Sequence, residues 1–203
     1  MTPDEECDDG NNVPNDSCDN ACKVTVNGIP VLGCEDLFGP NVIPTFVKKA
    51  KFKDSGDPPT TFDRWKTQGD FNLAQGLSIS PDTEVVTVIF NQALSLFSAA
   101  LPASNFVQSG GAATPKWKFA DKEADVPGAV GFHKGKFKLK DNKVKLNLDG
   151  RNTTVPIDLN ALGAPPPRLR QTIRVGDVCT TAVLTCESKS GGKVLQCSSE
   201  LLP

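Results

Sequence analysis

The stretch Gly135-Lys136-Phe137-Lys138-Leu139-Lys140-Asp141-Asn142-Lys143-Val144-Lys145-Leu146-Asn147-Leu148 decides the fold. Apolar and polar residues alternate on both sides of Asp141-Asn142, and a period of two marks a strand with one face buried. Asp-Asn between two such runs predicts a two-residue hairpin turn. The register then sets Leu139 against Val144, Phe137 against Leu146 and Gly135 against Leu148 on one face. The other face sets Lys140 against Lys143 and Lys138 against Lys145. Like charges directly opposed are destabilising, so that face needs a further explanation.

The same grammar extends in both directions. Phe46 to Lys53 alternates at its end, with Ala50 and Phe52 inward and Lys49, Lys51 and Lys53 outward. A short strand begins at Phe62–Trp65. Val85 to Phe90 is an unbroken apolar, β-branched run of the kind found in a strand covered on both faces, and Leu94 to Leu101 returns beside it. Lys116-Trp117-Lys118-Phe119 alternates again. With Gly191-Gly192 as a turn, Cys186 lies opposite Cys197 as a hydrogen-bonded pair, the wider spacing, and the two are predicted to bridge. Cys179, seven residues before Cys186, points to the other face of the same strand and is left without a partner in this scheme. No stretch has convincing helical periodicity. Many short strands with regular turns predict a mainly β fold, an antiparallel β-sandwich over residues 45–203.

The sandwich is preceded by something different. Residues 1–22 hold three cysteines, seven carboxylates and no Lys or Arg. So short and polar a segment cannot bury a core and needs staples, either disulfides or a metal. Residues 1–35 are therefore predicted to form a small, irregular, disulfide-stapled module, with Cys7, Cys18, Cys22 and Cys34 bridging among themselves. Residues 36–44, with two prolines and a glycine, read as a linker. Asp8, Asp9, Asn11, Asp16 and Asp19 are hard oxygen ligands around a Gly-Asn turn, which suits Ca²⁺. Their spacing is not that of an EF-hand, and a bare acidic loop held by disulfides fits equally. Zinc would call for paired Cys-x₂-Cys knuckles or added histidine, and neither is at hand.

Glu6-Cys7-Asp8-Asp9-Gly10-Asn11, followed by Asp16-Ser17-Cys18 and Cys22, resembles the Cys-rich CDDGN-type repeat of large secreted bacterial surface proteins. It is similar, more distantly, to the Ca²⁺-binding repeats of Notch-type receptors. Asp16-Ser17-Cys18 departs from the usual D-G-C, and the C-G-D-G opening upstream of Cys7 is absent. The resemblance implies an extracellular or cell-surface location. The order of strands in residues 45–198 also resembles a poorly characterised β-rich domain of the same kind of protein, which brings no activity with it.

Composition bounds the remaining possibilities. The 203 residues are 38% hydrophobic and 23% charged, with a net charge of −2, ordinary for a globular protein. No apolar run approaches the roughly 20 residues that span a bilayer, so membrane insertion is not expected. Met1-Thr2-Pro3 leads straight into acid, as in a trimmed secreted chain. Seven cysteines would be wasted in a reducing milieu.

Catalytic motifs are missing. The single histidine, His133, lies among lysines and reads as an exposed strand or loop residue. A hydrolase would have to use a carboxylate pair that no motif singles out. The expectation is a non-enzymatic structural or adhesive module. A carbohydrate-binding domain is the alternative, with Trp65 and Trp117 as stacking platforms if exposed. The outward lysines (Lys49, Lys51, Lys53, Lys116, Lys118, Lys136, Lys138, Lys140, Lys143 and Lys145) carry two readings. They either keep a sheet soluble or bind an acidic polysaccharide or an acidic protein neighbour. Self-assembly is compatible with the second reading. Nucleic acid is not expected, since no arginine-aromatic interleaving accompanies the lysines.

Overall fold

Strict alternation makes strands, and strands with one apolar face must close around a core. The computed structural model describes residues 25–26, 29–30, 34, 42–54, 62–91, 95–122, 126, 129, 131–155 and 168–199. The strands are β1 (Thr25–Val26), β2 (Ile29–Pro30), β3 (Val42–Pro44), β4 (Phe46–Lys53), β5 (Phe62–Asn72), β6 (Val86–Asn91) and β7 (Ser95–Leu101). They continue as β8 (Phe106–Ser109), β9 (Lys116–Ala120), β10 (Phe132–Lys140), β11 (Lys143–Val155), β12 (Arg168–Val175), β13 (Val178–Lys189) and β14 (Val194–Ser199). β1 and β2 form a ribbon of their own. All the others join one sheet in the order β7-β6-β12-β13-β14-β4-β5-β11-β10-β9-β8, with β3 beside β13. Pairing is antiparallel except between β3 and β13.

The mainly β, antiparallel class is as the sequence predicts, but the two layers are stretches of one continuous sheet folded over on itself. Trp65 on β5 shows why. Its ring meets Phe90 on β6 at 5.2 Å and Phe97 on β7 at 5.7 Å, strands far away along the sheet. The inner face therefore closes around Phe52, Trp65, Phe90, Phe132, Phe137, Leu148, Leu169 and Leu195, all fully buried. A Cβ on Gly150 would collide with the Trp65 indole, so that position has no room for a side chain. β7 and β8 are the two edges of the sheet, yet only Pro102 and the 3₁₀ turn Ala103–Asn105 separate them in sequence. Among the described residues no helix is long and apolar enough to cross a membrane.

The β10–β11 hairpin has the predicted register, Leu139↔Val144 and Lys138↔Lys145 included. Asp141 (φ 51°) and Asn142 (φ 60°) give the left-handed pair of a type I′ turn, which matches strand twist. Two strand boundaries differ from expectation. β5 runs eleven residues where a short strand was expected. Residues 42–44, placed in the linker, form β3. They pair in parallel with Cys179–Thr181, the part of β13 that β14 does not reach. Pro44 cannot donate, and the Thr45 N–H donates to the Thr181 carbonyl at 2.8 Å instead.

Cysteine pairing is part as predicted and part not. Cys186 bridges Cys197 across β13 and β14. Their Cα atoms are 4.0 Å apart, the close spacing of a non-hydrogen-bonded pair rather than the wide one expected. The loop has four residues, with positive φ at Ser190, Gly191 and Gly192, and its length resets the phase of the ladder. Cys34, expected to bridge within the N-terminal group, instead bonds Cys179, with a Cα separation of 5.8 Å. The β3–β13 pairing delivers residue 34 to the outer side of β13, a contact that sequence spacing does not reveal. Cys7, Cys18 and Cys22 lie outside the described residues. Two buried disulfides belong to an oxidising compartment.

Candidate functional site: a cationic sheet face

Successive strands β4, β5, β11, β10 and β9 turn the same parity outward, and the register aligns their side chains in rows. One row runs Lys53, Arg64, Arg151. The next runs Lys51, Lys66, Asp149, Lys134. A third runs Lys49, Gln68, Asn147, Lys136, Lys118, and a fourth Asp70, Lys145, Lys138, Lys116. Lys140 and Lys143 close the hairpin end. All ten predicted lysines therefore share one continuous face.

Arg64, Lys66, Lys134 and Arg151 join them and were missed. Arg64 lies within the strand expected to begin at Phe62–Trp65 but was not singled out, and Lys66 lies beyond that stretch. Lys134 has the same parity as Lys136, Lys138 and Lys140 and is in register with them, so extending that alternation by one more step identifies it. Arg151 lies beyond Leu148, where the readable alternation of β11 stops.

The electrostatics are one-sided. Lys51↔Lys66, Lys53↔Arg64, Arg64↔Arg151, Lys118↔Lys136, Lys116↔Lys138, Lys138↔Lys145 and Lys140↔Lys143 are all directly opposed like charges. Against them the rows hold two acids. Asp70 pairs with Lys143 at 2.8 Å, and Asp149 lies 3.7 Å from the Arg151 Nε. The rows enclose two adjoining hollows of about 340 and 460 Å³ that share Lys66, Asp149 and Arg151.

The other half of the sheet is unlike this one. Arg170 on β12 has outward parity but is fully buried, and desolvation lowers its pKa to about 10. It therefore remains charged at neutral pH. Thr172 and Thr181, its neighbours on that face, are buried too.

Two sequence expectations are corrected. Trp65 and Trp117 are only 1% and 3% exposed, so neither offers a sugar-stacking platform. Both sit at inward positions, and the Trp117 Nε1 donates to Asp82 Oδ1 at 2.7 Å. His133 is buried rather than exposed, since it shares the inward parity of Gly135 and Phe137, and the bulge beside it turns Phe132 inward as well. Its Nδ1 lies 2.7 Å from the Asp121 carbonyl, while the Asp121 carboxylate accepts the Val126 N–H at 2.9 Å. His133 thus ties a loop to the sheet. Asp8, Asp9, Asn11, Asp16 and Asp19 lie outside the described residues. Among the described residues no group of three or more His, Cys, Asp or Glu gathers.

No family model matches the chain, and neither the curated proteins nor the solved structures contain a match.

Proposed function

We propose that the protein is a non-enzymatic extracellular adhesive module that holds acidic polysaccharide on its cationic sheet face. One observation carries this reading: the directly opposed lysines and arginines sit in the middle of the sheet, not at its edges. Lysines that only guard against aggregation belong on edge strands, and a soluble surface mixes both signs. Here cations outnumber the two acids, Asp70 and Asp149, across five adjacent strands, and each opposed like-charged pair works against folding. A polyanion laid across the rows would remove that repulsion and lock the layer. The disulfides fit an extracellular setting. An acidic protein neighbour would satisfy the same charges and is the competing partner.

Retention on an immobilised acidic polysaccharide tests the proposal. Strong retention is expected at low ionic strength. It should fall steeply towards physiological salt, where the screening length is about 8 Å. Lys138→Glu with Lys145→Glu should abolish it without lowering the melting temperature, because the pair already repels in the native protein. A protein that passes through unretained at low salt leaves only the solubility reading.

Calcium binding by Asp8, Asp9, Asn11, Asp16 and Asp19 belongs to the same proposal. Carboxylates this dense in the sequence would repel one another wherever they gather, and a divalent ion would offset that. Chelation should speed amide exchange within residues 7–34 and leave exchange in the sheet unchanged. Equal exchange rates with and without chelator would end the metal reading.

A further inference from the structure

The cationic face is not chemically uniform. Among the described residues its only arginines are Arg64 and Arg151, and these are direct cross-strand partners. Lys53 continues their row, Lys51 and Lys66 stand in the next, and all five line the hollow of about 340 Å³ at that end of the face. Every other cation on the face is a lysine.

The difference matters because the two side chains recognise anions differently. Lysine is a strongly hydrated point charge that follows a polymer by attraction alone, whereas the guanidinium is a planar fork that takes an oxyanion by two parallel hydrogen bonds. Setting two guanidinium groups opposite one another is unfavourable unless something joins them. The acid in this hollow, Asp149, is 3.7 Å from Arg151 Nε, too far for a hydrogen bond. Arg64 has no ion pair among the described residues. Both arginines are exposed cross-strand partners, and among the described residues the loose contact with Asp149 is the only ion pair either of them makes. The hollow is at the small end of the roughly 300–1,000 Å³ range of ligand sites, which suits one sugar unit rather than a folded peptide.

We infer that Arg64 and Arg151 form an oxyanion clamp for the acid group, carboxylate or sulfate ester, of a single sugar unit. The clamp anchors one point of the polymer, and the lysine rows from Lys66 towards Lys118 and Lys116 carry the rest. This inference rests on the polysaccharide reading above and adds the residues that would set its specificity.

The test uses the whole chain and charge-conserving variants. Arg64→Lys and Arg151→Lys keep the charge and remove the fork. Lys138→Gln removes one charge at the far end. Binding is measured by calorimetry to a polyuronate and to a sulfated polysaccharide at one fixed ionic strength, then over a salt series. Each arginine variant should bind roughly tenfold more weakly, the scale of a lost charge-assisted hydrogen bond, with an unchanged salt dependence. Lys138→Gln should weaken binding less and flatten the salt dependence. The polymer that loses more identifies the oxyanion.

A second measurement needs no substitution. The Nε–Hε resonances of Arg64 and Arg151 should shift when an acidic disaccharide is titrated in. Arginine variants that bind like the wild type, or resonances that do not move, overturn the clamp while leaving the lysine platform standing. A wild-type protein that binds neither polymer overturns the platform itself.

Discussion

Replacing Cys34 and Cys179 together by alanine is expected to destabilise the protein by about 5 kcal/mol. The bridge spans 145 residues, and in the chain-entropy account a longer closed loop removes more freedom from the unfolded chain. Replacing Cys186 and Cys197 closes a comparison within the same molecule. Their separation is 11 residues, and the same account gives about 3 kcal/mol. Urea unfolding of the two double variants should therefore rank them clearly, the long bridge costing more. Local structure adds to the effect. Cys34 and Cys179 are both fully buried, and β3 has only three residues paired on β13 to hold it in place. If the Cys34/Cys179 variant unfolds at a higher urea concentration than the Cys186/Cys197 variant, residue 34 is not anchored on the sheet as described.

The second large effect is expected at Trp65. Its ring stands between the two layers, edge-on to Phe90, Phe97 and Phe132. Trp65→Ala removes the largest fully buried side chain of the core and should cost about 3–5 kcal/mol. Trp65→Phe should cost much less, and the reason is a specific defect. The Trp65 Nε1 is buried without a hydrogen-bond partner among the described residues, a penalty of about 1–3 kcal/mol that phenylalanine does not carry. Relief of that penalty offsets part of the lost packing. Thermal unfolding of both variants, with emission read from the remaining Trp117, checks the order. A phenylalanine variant as unstable as the alanine variant would mean that the indole nitrogen is satisfied after all. In the unsubstituted protein both tryptophans should emit to the blue and resist a soluble quencher.

What the sequence disclosed was local, and what it hid was long-range. The β10–β11 hairpin could be placed residue by residue because its register depends on period-two alternation and one turn. The outward parity of Lys49, Lys118 and Lys138 came from the same source. Nothing local says that β4 lies beside β5, β5 beside β11 and β11 beside β10, and only that order turns separate lysine stripes into one face. Cys34–Cys179 and β3 were hidden because their partners are far away in sequence. A bulge hid one more residue: the one at Phe132/Lys134 brings Phe132 onto the buried face beside His133, which alternation alone does not foresee. Trp117, between outward Lys116 and Lys118, already has inward parity in the sequence, so the sugar-platform reading of it went against the alternation, whereas Trp65 stood at the end of a stretch too short to give a parity.

The position of β4 has a consequence for the order in which the chain can assemble. Its two neighbours are β5, which follows at once, and β14, which is made long after it. Val47 and Ser199, 152 positions apart, exchange hydrogen bonds of 3.0 and 3.2 Å at that junction. The hairpins β10–β11 and β13–β14 can form within about 1–10 μs. The β4–β14 closure joins them across almost the whole chain, and topologies dominated by such contacts fold in roughly milliseconds to seconds. A chain emerging from the ribosome or crossing a membrane therefore carries β4 as an open edge until Val194–Ser199 arrive. During that interval the edge is guarded by Lys49, Lys51 and Lys53, whose mutual repulsion disfavours pairing with another unfinished copy.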